Sequence, residues 1–189
     1  MKIVNKFLAV FAIGFLLTAC ETEMVERIDE FGLEQGGYMR QVTPFPVTAF
    51  TVNLANMAGS KMEFLGEAVT PNFGSLFQSY DLVVRFVDST PANGTNNVAD
   101  VVLKSIPSST FKNDAATGYP RATISVTGKE AQDALKLTTA QMASGDRFEV
   151  RGTIKLTNGK SFTIANTSPN VLGGAFYSSP FFHRMNIAN

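Results

Sequence analysis

The sequence predicts an all-β fold, an antiparallel β-sandwich of the immunoglobulin or fibronectin type with about seven or eight strands and one short helix. Two observations support this prediction: apolar and polar residues alternate with a period of two, and the alternating segments are joined by turn residues. The clearest segment is 147–156, in which Phe148, Val150, Ile154 and Leu156 point one way and the charged residues the other. Such strands bury one face in a core and leave the other in water.

Eight segments of the chain show this strand pattern. They are 49–55, 61–68, 81–88, 98–106, 121–126, 147–156, 161–164 and 181–188. Asn158-Gly159 lies between two of them and predicts a hairpin with a type I′ turn, in which both central residues adopt positive φ. The helix is predicted after Thr127, because Thr127 and Glu130 have the spacing of a capping box and apolar residues follow.

The first twenty residues have the pattern of an export signal. Lys2 and Lys6 precede an apolar run, 7–19, which is too short to span a bilayer as a helix. The run ends in Leu17-Thr18-Ala19-Cys20, which resembles the lipobox of bacterial lipoproteins. The resemblance implies that 1–19 is a signal peptide and is removed, and that acyl chains on Cys20 anchor the protein to the outer membrane. The alternative is an ordinary cysteine that follows an apolar run.

The rest of the chain divides into a tether and a domain. Residues 20–36 carry six acidic side chains against one arginine, so we expect a flexible tether that spans about 20–24 Å. Acidic residues directly after the lipidated cysteine also resemble the surface-export signal of Bacteroidetes lipoproteins, which implies exposure at the cell surface. Residues 37–189 suit a single β-sandwich domain whose core needs neither a disulfide nor a metal.

The composition argues against an enzyme and against a nucleic-acid partner. The only histidine, His183, lies on the apolar side of its strand, and Cys20 is the only cysteine. With Cys20 lipidated, a Cys–His pair or a His-based metal site is excluded, and no G-x-S-x-G sequence or phosphate-binding glycine loop is present. Paired carboxylates stay open, although the acidic residues alternate with bases as on solvated strand faces. Sixteen basic and sixteen acidic residues give no basic excess, and we expect no cofactor.

Tyr119 and Tyr177 are the candidate ligand-binding residues, because both lie in predicted loops beside Gly, Pro or Ser and present flat rings. The absence of Trp argues against a glycan ligand. The loop 88–100 offers oxygen ligands without the spacing of an EF-hand, so a polar loop is favoured over a calcium site. Within it, Asp88-Ser89-Thr90 resembles the O-glycosylation motif of Bacteroidetes and makes Ser89 a candidate glycan acceptor.

Several stretches of the domain carry a family resemblance: GGYMRQV, IPSSTF, GYPRATISVT, GDRFEVRGTIKLTNGKSF and the ending YSSPFFHRMNIA, which begins at Tyr177. They are similar to a group of Bacteroidetes outer-membrane lipoproteins encoded beside SusC/SusD-type TonB-dependent transporters. The resemblance implies a β-sandwich accessory lipoprotein that docks onto such a complex and assists the capture of glycans or peptides. Two alternatives stay open: a free-standing glycan-binding module, and a surface subunit that polymerises by strand exchange.

Lipidation of Cys20 is testable by one substitution. We expect Cys20→Ala to abolish incorporation of labelled palmitate and to release the protein from the membrane fraction, because the acyl chains supply the anchor. Cell fractionation and intact-mass measurement check both effects. Ala19→Gly, which keeps a small residue before the cysteine, is the matched control and should remain lipidated. A Cys20→Ala protein that stays in the membrane fraction would contradict the lipobox assignment.

Overall fold

The strands form two sheets. Because side chains alternate along each strand, one face of each sheet is buried against the other sheet and the opposite face points outward. The structure is a computed structural model that describes residues 36–43, 47–173 and 177–189. The predicted signal peptide, Cys20 and nearly all of the predicted tether lie outside the described residues. Residues Gly36–Asn189 form one compact unit. Its strands are β1 (Tyr38–Thr43), β2 (Ala49–Asn53), β3 (Lys61–Val69), β4 (Phe77–Val87), β5 (Val98–Pro107), β6 (Lys112–Asn113), β7 (Pro120–Thr127), β8 (Arg147–Leu156), β9 (Ser161–Phe162) and β10 (Phe182–Ala188).

The strand order is that of an immunoglobulin domain. One sheet has the order β1-β3-β7-β6, and the other has the order β2-β10-β8-β4-β5 with β9 paired to β8. These orders correspond to strands A-B-E-D and G-F-C-C′ of a variable-type domain, with the first strand divided between the sheets. The predicted sandwich is confirmed. Its pairs are antiparallel except β2 with β10, which run parallel because the chain crosses to the second sheet between Thr43 and Ala49.

Each of the eight predicted segments contains a strand, whereas the alternation does not reveal β1 and β6. The strand β6 has only two residues. In β1 the inward positions hold Met39 and Gln41 and the outward positions hold Tyr38 and Arg40. Gln41 is buried, and its side-chain amide donates to the Val47 carbonyl at 3.0 Å. A polar residue at a core position therefore hides the strand from a pattern that looks for apolar residues.

The hairpin between β8 and β9 forms, but its turn differs from the predicted type I′. Gly159 has a φ of 83°, whereas Asn158 does not adopt a positive φ. The Gly159 N–H donates to the Leu156 carbonyl at 3.0 Å, as in a type I turn that ends in a left-handed glycine. The loop contains a third residue, Thr157, because its N–H donates to the Leu76 carbonyl at 2.8 Å instead of continuing the hairpin.

The predicted helix is confirmed, and two further short helices accompany it among the described residues. They are α1 (Pro71–Gly74), α2 (Gly128–Ala134) and α3 (Pro169–Gly173). In the capping box of α2, the Glu130 N–H donates to the Thr127 hydroxyl at 3.1 Å, and the Thr127 N–H donates to the Glu130 carboxylate at 2.7 Å. The sequence pattern reveals only α2, because α1 and α3 are too short to show a helical period.

Aromatic rings fill the centre of the core between the sheets. Phe86 and Phe148 lie on adjacent strands with 5.6 Å between their ring centroids. The buried Tyr80 lies against Gly152, where a Cβ atom would collide with the tyrosine hydroxyl. Gly152 is thus required by the close approach of a large ring to the backbone of β8.

His183 is a core residue, as the alternation predicts. Its ring stacks on Phe64 with 4.8 Å between centroids, and the ring of Phe50 lies 6.0 Å away. The Val47 carbonyl accepts a hydrogen bond from the imidazole, while Nδ1 has no partner among the described residues. Burial lowers the pKa of His183 to about 4, and the bond to Val47 only partly opposes this effect. The imidazole is therefore neutral at pH 7.

His183 should make the free energy of unfolding depend on pH. The unfolded chain binds a proton at the ordinary pKa of 6.5, whereas the folded chain binds it only near 4, so acid favours the unfolded state. We expect full stability above pH 6.5 and a progressive loss as the pH falls toward 4, about 3 kcal/mol in all. Urea unfolding at pH 7 and pH 5, above the range of most carboxylates, compares wild type with His183→Leu. An equal pH dependence in both proteins would contradict the assignment.

Candidate functional site

The immunoglobulin strand order brings three loops to one end of the sandwich. They connect β3 to β4, β6 to β7 and β9 to β10, and correspond to the B–C, D–E and F–G loops. Loops on a rigid scaffold are the usual place for binding residues. Together with the start of β1 they enclose a cleft of about 420 Å³, which we call the loop-end cleft. It is lined by Gly36, Gly37, Tyr38, Val69, Thr70, Pro71, Tyr119, Phe162, Asn166, Thr167, Ser168 and Val171.

Aromatic side chains gather at the loop-end cleft. Tyr119, one of the two predicted ligand-binding residues, lines it directly. Tyr177, the other, lies edge-on against the cleft residue Tyr38, with 5.4 Å between ring centroids and an interplanar angle of 81°. The ring of Phe73 packs beside the ring of Tyr119, with 5.7 Å between the two centroids. The structure therefore brings both predicted tyrosines to one site and adds Tyr38, which sequence reasoning misses because it lies at an outward position of the undetected strand β1.

The B–C loop presents Phe73 to solvent on a strained backbone. Asn72 and Phe73 both adopt left-handed conformations, with φ of 53° and 54°, which cost about 1–2 kcal/mol for each residue other than glycine. Gly74 follows with a φ of 84° at a point where a Cβ atom would collide with Pro120. The ring of Phe73 remains 67% exposed beside Tyr119. Backbone strain that keeps an apolar ring exposed beside a cleft is typical of binding loops.

The polar groups that the structure describes in the cleft are uncharged. Among the described residues, the lining holds hydroxyl and amide side chains, but no Asp, Glu, Lys, Arg or His. The Asn166 side chain closes its own loop by accepting from the Thr163 N–H at 2.7 Å and donating to the Ser161 carbonyl at 2.9 Å. The hydroxyl of Thr167 is buried and has no partner within the described chain. The described lining therefore offers hydroxyl and amide groups that can donate and accept hydrogen bonds.

One buried carboxylate holds together the strands beside the cleft. Glu67 of β3 is fully buried and is paired in register with Arg40 of β1 and Arg121 of β7. Arg40 donates to Oε1 at 2.9 Å, and Arg121 donates to Oε2 at 2.7 Å. The Thr117 hydroxyl donates to Oε2 at 2.8 Å, and Arg40 also donates to the Tyr38 hydroxyl at 3.0 Å. The buried charge is thus both neutralised and hydrogen-bonded.

The D–E loop that carries Tyr119 is attached to the same cluster. The Asp114 carboxylate accepts from the Thr117 N–H at 3.0 Å and pairs with Arg121 at 2.8 Å. The hydrogen bond from Thr117 and the charge of Arg121 hold the pKa of Asp114 below its usual range, against the effect of desolvation. Tyr119 therefore lies in a loop anchored to Glu67 from both sides, and its ring has a fixed place in the cleft.

Glu67 and Glu149 correct the expectation that acidic residues on the strands occupy solvated faces. Both lie at outward strand positions, yet their exposed fractions are 0% and 2%. Arginine side chains cover them. Arg40 and Arg121 of the two neighbouring strands cover Glu67. Arg85 of β4 and Arg147 of β8 itself cover Glu149. Sequence reasoning misses these residues because the partners of Glu67 lie 27 and 54 residues away along the chain. An outward carboxylate opposite outward arginines indicates such a cluster, but this arrangement can be recognised only when the strand pairing is known.

The predicted features of the loop 88–100 lie at the opposite end of β4 from the cleft. The Asp88 carboxylate accepts from the N–H groups of Asn96 at 2.7 Å and Thr90 at 2.9 Å, and these bonds lower its pKa. Asp100 pairs instead with Arg151. The loop oxygens therefore close the loop rather than converge on an ion, and the described residues hold no cluster of three or more His, Cys, Asp or Glu. Ser89 is exposed and stays a predicted glycan acceptor.

Within the described part of the chain, no helix has the length and apolar character to cross a bilayer. No protein-family model matches the chain, and no curated protein matches it significantly. Among solved structures, the chain is similar to AggA, the major subunit of aggregative adherence fimbriae type I from Escherichia coli, with a TM-score of 0.28 and 8% identity. That match covers 82% of this chain and 94% of the other. A TM-score this low supports no inference about the chain.

The role of Glu67 predicts a large difference between two glutamates of β3. We expect Glu67→Gln to lower the free energy of unfolding by about 3 kcal/mol, because it leaves Arg40 and Arg121 without their shared counter-charge. Glu63→Gln is the matched control on the same strand. Glu63 makes an exposed pair with Lys61 and a hydrogen bond with Ser125, both open to solvent, so its substitution should change stability little. Denaturant unfolding measures both variants, and equal small losses would show that the buried cluster is not structural.

Proposed function

We propose that the protein is a non-enzymatic, lipid-anchored binding protein of the cell surface, and that the loop-end cleft holds a neutral glycan. The proposal rests on one observation. Tyr38 and Tyr119 line the cleft, Tyr177 packs edge-on against Tyr38, and no charged side chain belongs to the part of the lining that the structure describes. This grouping offsets the argument from the absence of Trp, because the tyrosines act together rather than singly.

The chemistry of the lining suits a sugar. A tyrosine ring offers an apolar face and a polar edge, as a pyranose ring does, so the two can stack and still exchange hydrogen bonds. Binding sites commonly combine apolar walls with a few placed polar groups, and Asn166, Thr167 and Ser168 supply donors and acceptors here. The buried hydroxyl of Thr167, which lacks a partner in the described chain, is a group that a sugar hydroxyl would satisfy.

A second candidate is the role of accessory subunit in a SusC/SusD-like outer-membrane uptake complex. The observation in its favour is that the predicted tether joins the domain at Gly36 and Gly37, and these two residues line the cleft. A ligand held there would lie at the end of the domain from which the anchored chain leaves, close to a transporter in the same membrane. Purification of the complex through a tag on this chain tests the idea. Recovery of the lipoprotein without a transporter would contradict it.

Glycan binding should depend on Tyr119. We expect at least one neutral polysaccharide of a panel to bind the wild-type protein, and Tyr119→Ala to weaken that binding roughly tenfold or more, because the stacking surface is lost. Tyr119→Phe, which keeps the ring, should retain most of the affinity. Calorimetry and affinity electrophoresis measure these differences.

Val102→Thr is the control for this experiment, since Val102 is 80% exposed on β5, outside the cleft lining. It should bind as the wild type does. Failure of every neutral glycan to bind, or binding that is insensitive to Tyr119→Ala, would exclude the cleft as a glycan site. Tyr119-dependent binding of peptides alone would reassign the ligand.

A further inference from the structure

The outward face of the second sheet carries a surplus of positive charge. Eight charged side chains lie at outward positions of its strands β4, β5, β8 and β10, and five of them are cations. Four of these cations are arginines, and we call this surface the arginine face. Its charged members are Arg85, Arg147, Arg151, Arg184, Lys155, Asp81, Asp100 and Glu149.

One buried carboxylate orients three of the arginines. Glu149 accepts from Arg85 Nε at 2.7 Å and from Arg147 Nε at 2.9 Å, and Arg151 Nη2 lies 3.6 Å from it. Burial raises the pKa of Glu149, but the hydrogen bonds from Arg147 and Arg85 outweigh that effect and keep the carboxylate ionised. A guanidinium has five N–H donors, so these contacts leave further donors of Arg147 directed to the surface.

Arg184 adds a cation that no carboxylate of the described residues neutralises. It lies on β10 directly opposite Glu149, in the same row as Arg85. Its guanidinium carbon lies 5.4 Å from the centre of the Phe182 ring, and within the described residues its guanidinium makes no hydrogen bond or ion pair. The ring of Phe182 thus holds the guanidinium of Arg184 in place, and the N–H donors of this guanidinium remain open to solvent.

Arg184 adds repulsion that the described ion pairs do not offset. Glu149 already accepts hydrogen bonds from Arg85 and Arg147, and like charges on neighbouring strands repel. Asp100 neutralises Arg151 and Asp81 neutralises Lys155, which leaves Glu149 to face Arg85, Arg147 and Arg184. The face therefore keeps a formal charge of +2, although the whole chain has a formal charge of 0. An anionic partner would relieve this repulsion.

We propose that the arginine face binds a polyanionic glycan, a linear polysaccharide with uronate or sulfate groups. The planar fork of a guanidinium matches the planar carboxylate of a uronate, and Arg85 and Arg184 flank Glu149 on the two neighbouring strands, so an extended polymer that crosses the strands would contact both. The net positive charge of this face suits a polyanion, whose repeated charges can pair with several guanidinium groups. This site is independent of the loop-end cleft and of the neutral ligand proposed there.

Polygalacturonate and its methyl ester test the proposal on the purified lipoprotein, because the two polymers share a backbone and differ in charge. We expect the wild-type protein to bind polygalacturonate, with an affinity that falls as NaCl is raised, and not to bind the ester. Arg184→Gln should weaken binding about tenfold, since it removes the open guanidinium without breaking an ion pair. Arg184→Lys should recover only part of the loss, because it restores the charge but not the fork.

Two controls separate binding at the arginine face from binding elsewhere on the protein. Lys112→Gln removes an exposed cation from the opposite sheet and should leave polygalacturonate binding unchanged. Tyr119→Ala should also leave it unchanged, so that failure of the cleft and failure of the arginine face are distinguishable. Equal binding of the ester, equal weakening by Lys112→Gln, or a loss with Tyr119→Ala would overturn the proposal. Binding to anionic lipid vesicles but not to polygalacturonate would overturn it in favour of a membrane surface.

Discussion

The buried carboxylate of Glu67 is the interaction on which the loop end of the sandwich depends. Arg40 and Arg121, from the two strands that flank β3, neutralise its charge, and the Thr117 hydroxyl completes its hydrogen bonds. A carboxylate without water is costly, and only the joint presence of these three partners offsets that cost. The D–E loop and the start of β1 are thereby held at a fixed distance. The rings that those two segments carry can then line a cleft of defined width.

Each sheet contains a cluster of a buried glutamate and arginines, and the two clusters differ in the charge that they leave unpaired. Each has a buried glutamate at an outward strand position that is covered by arginines, Glu67 in the first sheet and Glu149 in the second. In the first sheet, Arg121 also pairs with Asp114, so the cluster is closed on itself. In the second sheet, Arg184 stands beside the cluster with its donors open to solvent. A closed network stiffens a fold, whereas an oriented surplus of charge suits the binding of a counter-charged ligand.

Strand pattern and loop position predict much of this protein, and their failures have physical causes. Alternation finds strands whose inward residues are apolar, so it misses β1, where the buried Gln41 donates its amide to a backbone carbonyl. The turn at Asn158 departs from type I′ because a contact from another loop holds Thr157. Tyr119 and Tyr177 are recognisable as loop tyrosines from the chain alone. Tyr38 is not, because only the position of β1 at the edge of the first sheet brings it to the same cleft.

The sequence by itself determined the fold class, the location of eight strands and the capped helix, because periodicity, turn chemistry and capping act between residues that are close along the chain. It also determined that Cys20 is the one cysteine and that it follows a lipobox-like stretch. Only the tertiary structure decided which residues form a site. The cleft joins three loops and a strand start, and the arginine face joins strands that are distant in sequence. Such groupings depend on strand order, which is set by the packing of the whole core and leaves no local pattern.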